Sequence, residues 1–228
     1  MAEDVDPDKL EIADELIAER RSAAPGELPD DMNAVHRRII GFIDTLNDRV
    51  GKLVAWLIVP LCLAMVYEVI VRKFGTSPTL WFQEIVRVFT DPDAPSLVSP
   101  APTLWAYDVS RMLYGALFML GAGYALARGV HIRADFLYRN WSARTQGIVD
   151  MIMYLTFYFG GMICLMWYGT EYALNAWMRG ERAMDTAWMP PLGPVRTAIP
   201  VGVFLLILQG VSETLKAWYA AKNDRWPV

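Results

Sequence analysis

The 228-residue chain is 54% hydrophobic and 20% charged, with nine Trp, twelve Met and two Cys. Its net charge of −4 is unevenly placed: residues 1–35 hold eleven acids and three bases, and the rest holds 18 bases against 14 acids. This excludes a nucleic-acid binder, which needs a strong basic patch, a disulfide scaffold and a wholly disordered chain.

Residues 1–34 read as an acidic soluble tail in which Asp6-Pro7 suits a helix start and Pro25-Gly26 a stop, bracketing a short acidic helix over Lys9–Arg21. Residues 35–52 then predict an amphipathic helix. Val35, Ile39, Phe42, Ile43, Leu46, Val50 and Leu53 recur at spacings of three and four, with Arg37, Arg38, Asp44, Asn47 and Asp48 opposite. Such a stripe suits a helix lying in the headgroup plane before the chain turns into the bilayer. A partner-facing or core stripe is the other reading, and the two are compatible.

The membrane domain is placed at residues 53–220. Four runs are nearly free of charge: Leu53–Val71 (broken only by Glu68), Met112–Ala127, Met151–Thr170 and Thr197–Ser212. A bilayer core of ~30 Å takes about 20 apolar helical residues. With snorkelling bases at their ends (Arg111 and Arg128, Arg196 and Lys216), the runs extend to spans at about 50–72, 107–128, 147–174 and 196–219. A soluble core could absorb one such run, but four would leave too little polar surface to cover them. Seven Trp lie outside these runs, clustered near their ends where an amphipathic ring sits at headgroup depth. The expected fold is therefore an all-α integral membrane protein with four transmembrane helices plus interfacial amphipathic helices.

With four spans, the amino-terminal flank, the middle loop and the short tail at 221–228 share one side. That side carries eleven Lys and Arg against seven on the other, so both termini are expected in the cytoplasm. The acidic first 35 residues lack an apolar core segment, so no secretory signal is expected.

The long loop at 73–106 contains an approximate copy of the segment that leads into span two. Ser77-Pro-Thr-Leu-Trp-Phe-Gln-Glu-Ile-Val-Arg87 resembles Ala101-Pro-Thr-Leu-Trp-Ala-Tyr-Asp-Val-Ser-Arg111, with Glu84 matching Asp108. Duplication and coincidence both explain an eleven-residue match. In the middle loop, Ile132, Phe136 and Leu137 share a face and suit a short interfacial helix. The Pro-rich stretch Arg179–Arg196 reads as a turn.

Catalytic motifs are missing. His36 and His131 cannot supply the paired ligands of an intramembrane haem, and Cys62 and Cys164 fall inside spans, where a thiol acts as a small hydrophobe. No enzyme activity and no cofactor are expected. Glu68 is the deepest ionisable residue, with Arg72 one turn on, which suits an ion pair anchoring the end of span one; a transported-ion ligand would need a second intramembrane acid. Asp150 and Glu171 bracket span three and read as interfacial. Pro60 and Pro200 suggest kinks. Gly121xxxAla125 and Gly123xxxAla127 allow close helix contact. With few polar residues to line a pathway, the chain reads as a subunit rather than a complete pump.

Two stretches resemble a known family. Trp105-Ala-Tyr-Asp-Val-Ser-Arg111 leads into a Gly-rich span, and His131-Ile-Arg-Ala-Asp135 comes after that span. These resemble the small membrane subunit, DctQ type, of tripartite ATP-independent periplasmic (TRAP) transporters, as do Trp188-Met-Pro-Pro-Leu-Gly-Pro194 and Ile199-Pro-Val-Gly202 with Leu208-Gln209. The resemblance covers residues 35–220. Asp108 stands where Glu is common, and the Trp81–Glu84 copy and the acidic tail are extra. These features look most like the branch named for mannitol and chloroaromatic compounds.

That resemblance implies a role. A periplasmic binding protein delivers an organic acid to a large multi-span permease subunit, which carries it inward with sodium. The small subunit would brace that large subunit's scaffold within the membrane lipids. Sodium coupling is expected in the large subunit, not here. His131, Arg133 and Asp135 would form a structural cluster at the cytoplasmic edge, and Trp105, Asp108 and Arg111 would do similar work on the periplasmic side. A four-span anchor for a redox or other membrane complex is the competing expectation, and a stand-alone channel a third.

Overall fold

The computed structural model describes residues 28–74, 78–91, 103–129 and 141–227. The acidic helix expected over Lys9–Arg21 and the interfacial helix expected around Ile132, Phe136 and Leu137 lie outside these residues. Within them the architecture is helical, with an isolated bridge between Arg182 and Pro191.

Helix α1, Ala34–Ala55, starts where the Asn33 side chain accepts the Val35 amide at 2.9 Å, a side-chain N-cap. It passes into α2, Ile58–Phe74, through a tightened turn at Trp56 and Leu57, whose amides bond back three residues to Leu53 and Val54. Pro60 explains the break: it lacks an amide hydrogen, and its ring clashes with the carbonyl four residues back, that of Trp56. Part of the long loop is itself helical, as α3, Pro78–Thr90. Helix α4, Ala106–Ala127, comes next.

Ser142 caps α5, Ala143–Met153, by accepting the Thr145 amide at 3.3 Å. Helix α5 runs through a wide turn, Tyr154–Tyr158, into α6, Phe159–Arg179, as one rod. The wide turn swings the Tyr158 ring over Gly210, and its hydroxyl donates to the Leu206 carbonyl at 2.8 Å. Helix α7, Gly193–Asn223, carries Pro194 in its first turn and Pro200 inside. Four segments are long and apolar enough to cross a membrane: Ala34–Lys73 (α1 with α2), α4, Ala143–Arg179 (α5 with α6) and α7. The chain is an all-α membrane protein of four spans.

Helix α7 is the centre, packing against α4, α6, α5 and α1. Small residues make this possible. A Cβ at Gly202 would overlap the Met119 backbone of α4, and one at Gly123 would overlap the Asn47 side chain of α1. Of the two glycines in the small-residue spacings of span two, Gly123 lies at a contact and Gly121 faces open space.

The polarity of the bundle is inverted relative to a water-soluble protein. Helix α1 turns Asp44, Asn47 and Asp48 inward, alongside Ile40 and Ile43, and leaves Phe42 68% and Leu53 73% exposed. Most of the apolar stripe legible in the sequence thus faces outward, where lipid suits it. Glu84, Asp108, Gln209, Ser212, Glu213 and Lys216 are buried as well. This corrects the expectation of few buried polar residues: the positions lie near the edges of charged flanks in sequence, and only packing turns them toward one another.

Candidate functional site

Two polar assemblies hold the bundle, one at each end. At the end where the two described termini meet, the network spans α1 and α7. The Asp44 carboxylate accepts from the Ser212 hydroxyl at 2.7 Å and from the Gln209 amide at 2.9 Å, and pairs with the Lys216 ammonium at 2.8 Å. Lys216 also reaches Glu213 at 2.9 Å, so one cation bridges two carboxylates. The Asn47 amide donates to Gln209 at 2.9 Å, closing the chain of bonds across the helix interface. One turn along α1, Asp48 meets Lys52 at 2.6 Å and Arg128, just past α4, at 2.7 Å. Three carboxylates thus face three cations from three helices. Buried charge of this kind persists only when paired and hydrogen-bonded, and the ammonium of Lys216 takes the place between acids that a mobile cation would need.

Outside that network the terminal segments close on each other. The Tyr219 hydroxyl donates to Asp31 at 2.8 Å, Arg225 reaches the same carboxylate at 2.5 Å, and His36 packs edge-on against Trp218 with centroids 5.1 Å apart. The Tyr219 hydrogen bond, and after it Arg225, hold the Asp31 carboxyl below its ordinary pKa.

At the opposite end the expected residues Glu68, Arg72, Trp105, Asp108 and Arg111 are all described. Glu68 pairs with Arg72 at 2.7 Å, one turn apart on α2. Its second oxygen accepts the Thr103 amide at 3.1 Å and the Thr103 hydroxyl, which ties α2 to the segment entering α4. Trp105 stacks on Tyr67 with centroids 5.5 Å apart, reinforcing the same junction. Asp108 is wholly buried; it accepts from Arg111 at 3.3 Å and from the Thr186 hydroxyl. Arg111 also reaches Asp185 at 2.6 Å. The first turn of α4 therefore clamps the Pro-rich loop between α6 and α7. Arg196 adds a second clamp, pairing with Glu181 and lying 3.9 Å over the Tyr172 ring.

The approximate repeat has a structural counterpart. Glu84 and Arg87 pair at 2.7 Å on α3, as Asp108 and Arg111 do on α4, with the same spacing of three. His131, Arg133 and Asp135 lie outside the described residues, so their expected cluster is not placed.

Sequence reasoning missed the α1–α7 network. The available signal was the spacing of Gln209, Ser212, Glu213 and Lys216, which puts all four on one face of a helix at intervals of three and four. Among the described residues, no group of three or more His, Cys, Asp or Glu is arranged to hold a metal ion. The chemistry on view is structural: hydrogen bonds and ion pairs that fix helices against one another.

A family model described as tripartite ATP-independent periplasmic transporters, DctQ component, matches residues 97–219. That stretch takes in α4 to α6 and most of α7, including Asp108, Arg111, Thr186 and the α7 side of the buried network. No curated protein and no solved structure matches the chain.

Proposed function

Because the chain belongs to the DctQ component family of tripartite ATP-independent periplasmic transporters, and so is a small permease subunit of the inner membrane, we propose that it braces the scaffold of a large multi-span permease subunit during uptake of an organic acid. In this reading the large subunit moves the solute with sodium, and a periplasmic binding protein delivers it. Both termini lie in the cytoplasm. Family membership is that of a transporter component rather than an enzyme.

The observation that carries the reading is the neutralised interior. Asp44 and Glu213 share Lys216, and Asp48 meets both Lys52 and Arg128, so that three carboxylates and three cations sum to zero across the two groups. A rigid brace needs charges locked between helices, whereas a carrier needs ligands that can let go. His131, Arg133 and Asp135 are proposed to contribute to the same bracing at the cytoplasmic edge. The family match carries no branch, so the likeness to the mannitol and chloroaromatic branch rests on Asp108, the Trp81–Glu84 copy and the tail alone.

The test is reconstitution in proteoliposomes of the large subunit and binding protein, with and without this chain. Uptake of a labelled organic acid under an inward sodium gradient should require the chain. Equal uptake in its absence would overturn the proposal.

A further inference from the structure

Helix α3 belongs neither to the bracing network nor to the family match, since it precedes the matched residues 97–219. Pro78 stands at its first position, where a missing amide hydrogen is no loss. Its side chains divide by face. Phe82, Ile85, Val86 and Phe89 recur at spacings of three and four, and all are exposed, Phe82 by 70% and Phe89 by 84%. Glu84 and Arg87 fall on the opposite side, where Glu84 is 3% exposed and pairs with Arg87 at 2.7 Å.

In water a helix of this pattern turns the other way, with its apolar stripe inward and its ion pair out. The inversion repeats that of α1, which hides its acids and shows Phe42 and Leu53. Position and length fix the lipid zone. Pro78 follows Phe74, the last residue of α2, by four residues, so α3 begins within about 14 Å of the end of a span. Its 13 residues make a rod of about 20 Å, too short to cross a core of ~30 Å. Helix α3 also packs against α2, whose exposed Val66 and Val69 carry the lipid-facing surface of that span up to this end.

Other occupants fit less well. A protein partner held in one register needs polar groups at its seat, and the stripe has none, because the ion pair of α3 is turned inward. A face for the large permease subunit belongs within the stretch that the family shares, and α3 lies outside it. The stripe also lacks charge, so anionic headgroups are not what it recognises.

We propose that α3 is an interfacial anchor, lying along the bilayer surface at the end opposite the described termini and bedding Phe82, Ile85, Val86 and Phe89 where headgroups meet acyl chains. Glu84 and Arg87, paired, face the protein. The seat is apolar rather than electrostatic, so it takes uncharged lipid and tolerates high salt. Part of the long loop between spans one and two is thereby bound to the membrane. The inference stands apart from the bracing role.

The test uses the full chain in phosphatidylcholine vesicles, alone and co-reconstituted with the large permease subunit. Nitroxide labels are placed one at a time by Phe82→Cys and Phe89→Cys in a chain carrying Cys62→Ala and Cys164→Ala. Phe157→Cys, exposed within span three, and Met184→Cys, exposed in the loop between α6 and α7, give the lipid and water references and show that the spans remain inserted. Labels at 82 and 89 should collide with oxygen more than with a water-soluble nickel chelate, as at 157, in both preparations and in high salt. Gln83→Cys, which leaves both Phe side chains in place, should read between the two references. Chelate-dominated relaxation at 82 and 89 overturns the proposal. So does loss of oxygen collisions when the large subunit is present, which makes the stripe a protein contact, or broadening between labels on two copies. A lipid reading that appears only after phosphatidylglycerol is added overturns it as well.

Discussion

Asp44 on α1 and Lys216 on α7 meet at 2.8 Å, and Lys216 is shared with Glu213 at 2.9 Å. One ammonium is thus shared between the two acids. Replacing it takes that shared cation away from two buried carboxylates. Lys216→Met should destabilise the chain by about 3–5 kcal/mol, the usual cost of breaking a buried pair from one side. Adding Asp44→Asn should recover part of that loss, because one of the two buried negative charges is removed. Unfolding midpoints in detergent for the two single variants and the double variant give the coupling directly. Additive losses would show that the two side chains do not interact.

Span two offers a paired test of packing. Gly123 faces Asn47 with no room for a side chain, whereas Gly121 faces open space. Gly123→Val should cost about 1–3 kcal/mol through overpacking. Gly121→Ala should be neutral or stabilise by about 0.5–1 kcal/mol, since Gly is a poor helix residue. Thermal unfolding of both variants in the same detergent checks the order, and an equal effect would contradict the assigned face.

The clamp at Asp108 makes a local prediction. Thr186→Val removes a donor to a wholly buried carboxylate and should cost about 1–3 kcal/mol. The loss should appear at the loop between α6 and α7. Limited proteolysis should cut between residues 180 and 192 faster in the variant, with cleavage elsewhere unchanged.

Asp31 links the two described ends to pH. Its carboxyl titrates below the ordinary value because the docked form accepts from Tyr219 and Arg225. The contribution is therefore present above the unfolded carboxyl pKa of about 3.9 and is lost as pH falls through the lower docked value. Hydrogen exchange at the amides of residues 30–34 should be slow at neutral pH and accelerate below about pH 4 relative to the intrinsic rate. Asp31→Asn should show the fast behaviour at all pH values. No difference between the two chains would break the link.

The span count, the helical class and the membrane setting were legible in the sequence because hydrophobic runs and their charged ends are local properties. The Glu68–Arg72 pair was legible for the same reason: four residues on one helix bring the two groups together whatever the rest of the chain does. The resemblance centred on Trp105–Arg111 and His131–Asp135 reached the family before any contact was known. What the sequence could not decide was direction. Periodicity places Val35, Phe42 and Leu53 opposite Asp44 and Asp48, but does not say which side meets the bundle. In water the apolar side would turn inward. Here the surroundings are lipid, so the polar side does, and Asp44 finds Gln209, Ser212 and Lys216 on a helix at the far end of the chain. Such pairings depend on which helices are neighbours, a property of the whole packed molecule, and only the tertiary structure settles it.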